Sequence, residues 1–334
     1  MTGFIGEVRM FGATFVPRGW VPCDGRLLSI SEHQAAFTVI GTTYGGDGQS
    51  TFAVPDLRGR TPLGAGTGPG RTPRTLGEVG GSETVTLTTQ QMPGHQHPVL
   101  ASGAQATATS PDGATWGVAP DSAPYAAPPG AVTMAPQALG AAGGNLPHEN
   151  RSPVLGVVFG LCVEGYYPTG DDDDTTMGEI RLWAGPTPPG RWLVCDGSQL
   201  SISTNQALFS ILGTQFGGNG VQTFALPDLR GRVPVHAGAS ATSGATGGAE
   251  QVTVLTSQLP QHTHTAQATT AAATSGSPAG TTWAVAERPR YAPSPQVAAT
   301  PSGVSGATQP HPNMPPYTVL SFVIATQGVY PSRN

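Results

Sequence analysis

The chain contains no lysine, and charged residues of any kind fill only 10% of its 334 positions. All basic charge comes from arginine, and the formal net charge is -5. Nucleic acid demands a basic stripe that neutralises phosphates, so this balance argues against a nucleic-acid partner. No apolar run approaches the ~20 residues of a membrane-spanning helix, which argues against membrane insertion. The opening Gly3-Phe4-Ile5-Gly6 lacks the charged and apolar regions of a signal peptide, so synthesis in the cytoplasm is expected. Cysteine is scarce: Cys23, Cys162 and Cys195 form an odd set without short spacings. That is a poor disulfide framework, and buried free thiols acting as small hydrophobes are expected.

Glycine (47 residues) and proline (33) are abundant, which points to loop-rich β-structure or a fibre with low-complexity segments. The chain is also duplicated. The stretch from Gly6 to Arg60 carries Trp20, Cys23-Asp24-Gly25, Tyr44-Gly45-Gly46 and Pro55-Asp56-Leu57-Arg58-Gly59-Arg60. It returns without a gap from Gly178 to Arg232, with Trp192, Cys195-Asp196-Gly197, Phe216-Gly217-Gly218 and Pro227-Asp228-Leu229-Arg230-Gly231-Arg232. A period this long suits a whole duplicated domain rather than a solenoid unit.

Each copy predicts the same elements. Gly6–Phe11 and Gly178–Trp183 are strand candidates, in which Val8, Met10, Ile180 and Leu182 alternate with polar residues as in a half-buried strand. A short helix follows, opened by a capping box (Ser31 with Gln34, Ser203 with Gln206) and stopped by Gly41 or Gly213. The glycine turns at 44–48 and 216–220 need positive φ. Asp56, Arg58 and Arg60, with Asp228, Arg230 and Arg232, are expected to be structural ion pairs that pin a loop, since an arginine fork suits a bidentate carboxylate.

Further on, Thr84–Thr88 and Val252–Leu255 read as strands, leading to Pro93-Gly94-His95-Gln96-His97 and Pro260-Gln261-His262-Thr263-His264. Ala/Gly/Pro-rich segments follow, about 99–145 and 265–308, which bury little apolar area alone. They hold Trp116 and Tyr125, echoed by Trp283 and Tyr291. Apolar strands close the copies, at Val154–Phe159 and Tyr317–Ile324. The division expected by repeat is 1–170, an acidic linker at 171–176 around four aspartates, and 177–334.

The repeated block, the Pro-x-His-x-His step and the final strand together resemble the phage tail-collar family, which includes the collar region of short tail fibres. The resemblance covers nearly the whole chain outside the variable segments. It implies an α+β fold, mainly β with much irregular structure, as a tandem duplicated tail-collar fold with one short capped helix per copy. It implies a homotrimeric fibre protein of a phage or phage-like particle, located in the virion or extracellular particle, working with other tail or fibre proteins. Adhesion to a cell-surface glycan or protein receptor follows, and no enzymatic activity. It also implies a metal on the three-fold axis held by the His-x-His pairs. The chain departs in having two copies, and in Pro98 directly after the first His pair, where the second copy has Thr265.

Physical chemistry supports weighing that metal. In a strand, residues i and i+2 share a face, so His95 with His97, and His262 with His264, would each present two imidazoles. Three chains supply six nitrogens, suited to a transition metal such as iron or zinc. Alternatively the two pairs of one chain meet in a four-histidine tetrahedral site. The aromatic residues Trp116, Tyr125, Trp283 and Tyr291 are candidate receptor contacts, because exposed rings stack on sugars and anchor interfaces, although packing between chains explains them equally. The competing function classes are a metal-dependent hydrolase acting on surface polysaccharide and a monomeric lectin-like module.

Overall fold

The computed structural model describes residues 3–95, 100–110, 115–118, 146–169, 175–237, 242–259, 268–272, 283–285, 287–288, 290–292, 297–298 and 305–331. The first repeat contributes β1 (Glu7–Phe11), β2 (Trp20–Pro22), β3 (Leu27–Ser29), α1 (Gln34–Ile40), β4 (Thr51–Ala53), β5 (Thr61–Gly64), β6 (Val79–Gly80), β7 (Thr84–Val85), β8 (Leu100–Gln105), β9 (Thr115–Val118), β10 (His148–Glu149) and β11 (Val158–Cys162). The second contributes β12 (Ile180–Trp183), β13 (Trp192–Val194), β14 (Gln199–Ser201), α2 (Gln206–Leu212), β15 (Thr223–Ala225), β16 (Gln251–Val252), β17 (Ala268–Ala272), β18 (Trp283–Val285), β19 (Tyr291–Ala292), β20 (Val297–Ala298), β21 (His311–Pro312) and β22 (Tyr317–Ala325). The fold is mainly β with two short α-helices.

Packing divides the chain into two compact units, and each draws on both repeats. One holds 1–85, 148–251 and 312–334; the other holds 86–147 and 252–311. Division by packing thus cuts across division by repeat.

The larger unit is built on an antiparallel ladder in the order β13-β22-β12-β1-β11-β2. The repeats meet at β1–β12, where Glu7 faces Trp183 and Val8 faces Leu182. One core cluster runs through both copies, including Phe52, Leu161, Leu208, Phe224, Leu320 and Ile324. β22 is buried along its whole length. Its second half pairs with β12 and β13 of its own repeat. Its first half takes its partners from the first repeat, β5 in parallel and β6 in antiparallel register.

Several local expectations are modified. In β1 the buried residues are Glu7 and Val8, while Met10 is exposed, and Ile180 is exposed in β12. Glu7 can turn inward because Arg9, Arg181 and the Phe4 amide satisfy its carboxylate there. The helices end on glycine as read: Gly41 (φ 62) and Gly213 (φ 58) donate to Phe37 and Phe209 carbonyls. Neither helix has the capping box, however. The N-cap residues are His33 and Asn205, without side-chain caps, and Ser31 Oγ instead meets Ser29 Oγ at 2.8 Å. The Thr84–Thr88 strand is shortened to β7, and the first repeat's closing strand begins only at Val158.

Candidate functional site

The smaller unit carries the residues that sequence reasoning linked to binding. Its local architecture repeats: β8 runs parallel to β9, and β17 runs parallel to β18. Ala101 pairs with Trp116 in the first copy as Ala268 pairs with Trp283 in the second. The second repeat then adds to the first. β19 lies antiparallel to β9, with Tyr291 at the register position of Trp116, and β20 lies antiparallel to β8. Trp116, half-buried, and Tyr291 therefore come from different repeats yet occupy facing positions in one four-stranded sheet. Tyr125 lies outside the described residues.

His95 is held the same way. Its backbone exchanges hydrogen bonds with Ser305 of the second repeat, both at 2.9 Å. Thr308, at φ 57, donates its amide to Met92 O at 2.8 Å and its hydroxyl accepts from the Gly94 amide at 2.8 Å. Gly306 allows this close approach: a Cβ there would stand 2.3 Å from Pro93 O. The His95 side chain is partly buried, and its Nδ1 lies 3.0 Å from Pro93 O. A carbonyl only accepts, so Nδ1 carries the proton in this contact. Fixing a tautomer by a second hydrogen bond is the usual preparation of a histidine ligand. His97, His262 and His264 lie outside the described residues, and no group of three or more His, Cys, Asp or Glu among the described residues is placed to hold a metal.

In the larger unit, the arginine pairs are local to their turns. Asp56 accepts from Arg58 through both oxygens, at 2.8 and 2.9 Å. Asp228 accepts from Arg230 at 2.9 and 3.1 Å, and Arg232 reaches both the Asp228 carboxylate (3.2 Å) and its carbonyl (2.8 Å). The Arg58 hydrogen bonds hold the Asp56 carboxyl below the usual carboxylate range. For Asp228, burial pushes upward, and the hydrogen bonds from Arg230 and Arg232 overcome it to give a net lowering. The Arg60 charge also favours the ionised Asp56, and the Arg60 amide closes on Leu57 O at 3.1 Å.

The three cysteines are buried free thiols. Burial, with Asp196 beside it, pushes Cys195 up to about 12; burial, with Glu7 near, pushes Cys162 to about 11. Cys23 is raised further, by burial and then Asp24 and Asp56. Such thiols stay protonated at neutral pH and make poor nucleophiles.

Two ionic groups escaped the sequence reading. Glu7, fully buried, receives Arg9 from its own strand and Arg181 across the repeat seam at 3.4 Å, while Arg9 and Arg181 lie over Trp20 and Trp192. Arg74 gathers Glu78 (2.9 Å), Tyr317 Oη (2.5 Å) and Glu250 (3.7 Å), again from both repeats. The repeated Glu-x-Arg of Glu7-Val8-Arg9 and Glu179-Ile180-Arg181 was the available signal for the first. Nothing local marks Arg74.

Two copies of one motif, joined in a shared β core and exchanging strands, define a duplicated structural module. The profile of the phage tail collar domain matches residues 6–62 and again 178–234, so the chain carries two tandem phage tail collar domains. The family is structural rather than catalytic, and the domain marks a tail-fibre type protein, a component of the virion tail. No curated protein matches the chain.

Proposed function

We propose that this tail-fibre type protein forms a homotrimer, associates with other tail or fibre proteins and adheres to a glycan or protein receptor on the host-cell surface. The observation that carries this reading is the register that sets Trp116 opposite Tyr291 in one sheet, since aromatic residues suit sugar faces and protein anchors. Trp283 occupies the repeat-equivalent position on β18, and Tyr125 completes the candidate contact set. A transition metal, iron or zinc, is held by His95, His97, His262 and His264 around the three-fold axis. It acts as a clip whose binding energy becomes assembly energy. The Asp56–Arg58 and Asp228–Arg230–Arg232 turns serve as structural pins.

Native mass spectrometry before and after chelation tests the assembly. Three chains with two metals, destabilised on stripping, are expected; a metal-free monomer overturns both trimer and clip. Adsorption of labelled protein to host cells tests the adhesive role. Trp116→Ala and Tyr291→Ala are expected to reduce it at least about tenfold, the usual scale of a hot-spot aromatic. Unchanged adsorption would remove these residues from the contact surface.

A further inference from the structure

The two repeats share a closing strand but not its environment. In the second repeat, Tyr317–Leu320 is covered by β5 of the first, with Tyr317 opposite Thr61 and Val319 opposite Leu63. The Thr61 amide donates to Pro316 O at 3.0 Å and the Ala65 amide to Leu320 O at 2.9 Å. Leu63 is 1% exposed there and Thr318 is 1% exposed. The repeat-equivalent interlock would pair Val233–His236 of the second copy with Val154–Val157 of the first. The described chain does not make it. Neither segment lies in a strand, and both expose apolar side chains: Leu155 is 87% exposed and Val235 78%. These are the counterparts of Thr318 and Leu63.

We propose that these two segments pair between copies of this chain: Val233–Val235 of one protomer adds in parallel alongside Val154–Gly156 of the next. The interface reproduces, between molecules, the β5–β22 pairing already present within one. Adding a strand to an unpaired edge draws its affinity from main-chain hydrogen bonds, which the repeats share whatever their side chains. By that equivalence the Val233 amide meets Pro153 O, Val233 lies opposite Val154, Pro234 opposite Leu155 and Val235 opposite Gly156. Donor and acceptor are different segments, so the contact is head-to-tail, and such contacts close into a ring when the rotation permits. In that ring every collar copy donates one segment forward and accepts one from behind.

Two differences shape the second interlock. A Cβ at Gly64 would stand 1.8 Å from Leu229 O, so His236 at the matching position holds the neighbour's Leu57–Arg58 turn further away. The Arg74–Glu78–Tyr317 group has no counterpart either, because Tyr317 is replaced by Val154 and the second copy is shorter after Val235. The contact between chains is therefore apolar and the weaker of the two. This proposal deepens the oligomeric reading above by naming its interface.

The test uses full-length chains carrying Val154→Cys or Val233→Cys with different affinity tags, co-expressed and mildly oxidised. The buried native thiols give little background. A disulfide joining unlike tags is expected, and the double variant should ladder to a discrete closed species. Val235→Asp, at a position exposed in the single chain, should weaken association at least about tenfold while leaving the circular dichroism spectrum unchanged. If wild-type oligomers persist with V235D and no cross-link forms, this interface is wrong while the oligomer stands. A double variant that loses its new thiols at unchanged mass pairs within one chain and also overturns it. A monomeric wild-type protein removes both readings.

Discussion

Tyr317–Leu320 and Val154–Val157 occupy the same place in two copies of one domain. Both are apolar and follow the same Pro-His-x-Asn step, yet one is buried core and the other open surface. The difference is the arrival of β5 from the other repeat. A closing strand of this kind is half of a surface; a second segment, brought from far along the chain, completes it. Strand character in a collar copy is thus decided by neighbours as much as by its own residues.

The largest expected break in this comparison is Leu63→Ala. It opens a cavity beside Val319 and Tyr317 and should lower stability by about 2–5 kcal/mol in urea unfolding. Val235→Ala, the repeat equivalent, should stay within about 0.5 kcal/mol in chains dilute enough to be single. Equal effects would mean that the two segments share an environment. Next comes Arg74→Ala, which strips Glu78, Glu250 and Tyr317 of their common partner; a loss of about 1.5–3 kcal/mol is expected, since these are hydrogen bonds to charge. A smaller loss, within about 0.5 kcal/mol, would mean that the group contributes little to holding the repeats together. Gly41→Ala and Gly213→Ala should each lose about 1 kcal/mol, because both helices end at positive φ, and here the copies should agree. The smallest effect is in acid. Asp56 and Asp228 titrate below their unfolded range, so they contribute stability above about pH 4 that fades as pH falls through their folded values. Asp228→Asn should flatten the melting temperature against pH below 4 more than Asp56→Asn, because Asp228 is more enclosed and holds two arginines.

Much of the local structure was legible. Gly41 and Gly213 ended their helices because only glycine takes that backbone geometry cheaply. Gly45, Gly46 and Gly48 turned as expected, at φ 122, 95 and 67. The inward face of β1 departs from alternation, which predicts Val8 with Met10: Glu7 is buried instead, held by Arg9, the Phe4 amide and Arg181 from the other repeat. The capping box failed because Ser31 lies outside the helix and bonds to Ser29. In the smaller unit, repeat symmetry matched Trp116 with Trp283, whereas strand pairing sets Trp116 against Tyr291.

The sequence by itself determined the duplication, the collar family, the mainly β class and the turns, because each depends on residue identity over short spans. Only the tertiary structure decided which repeat completes which strand. That choice joins Leu63 to Val319, Arg74 to Tyr317 and Trp116 to Tyr291. Hydrogen bonding between backbones is nearly blind to side chains, so two similar copies offer several equivalent pairings. Packing, close approach at glycine and buried charge then select among them.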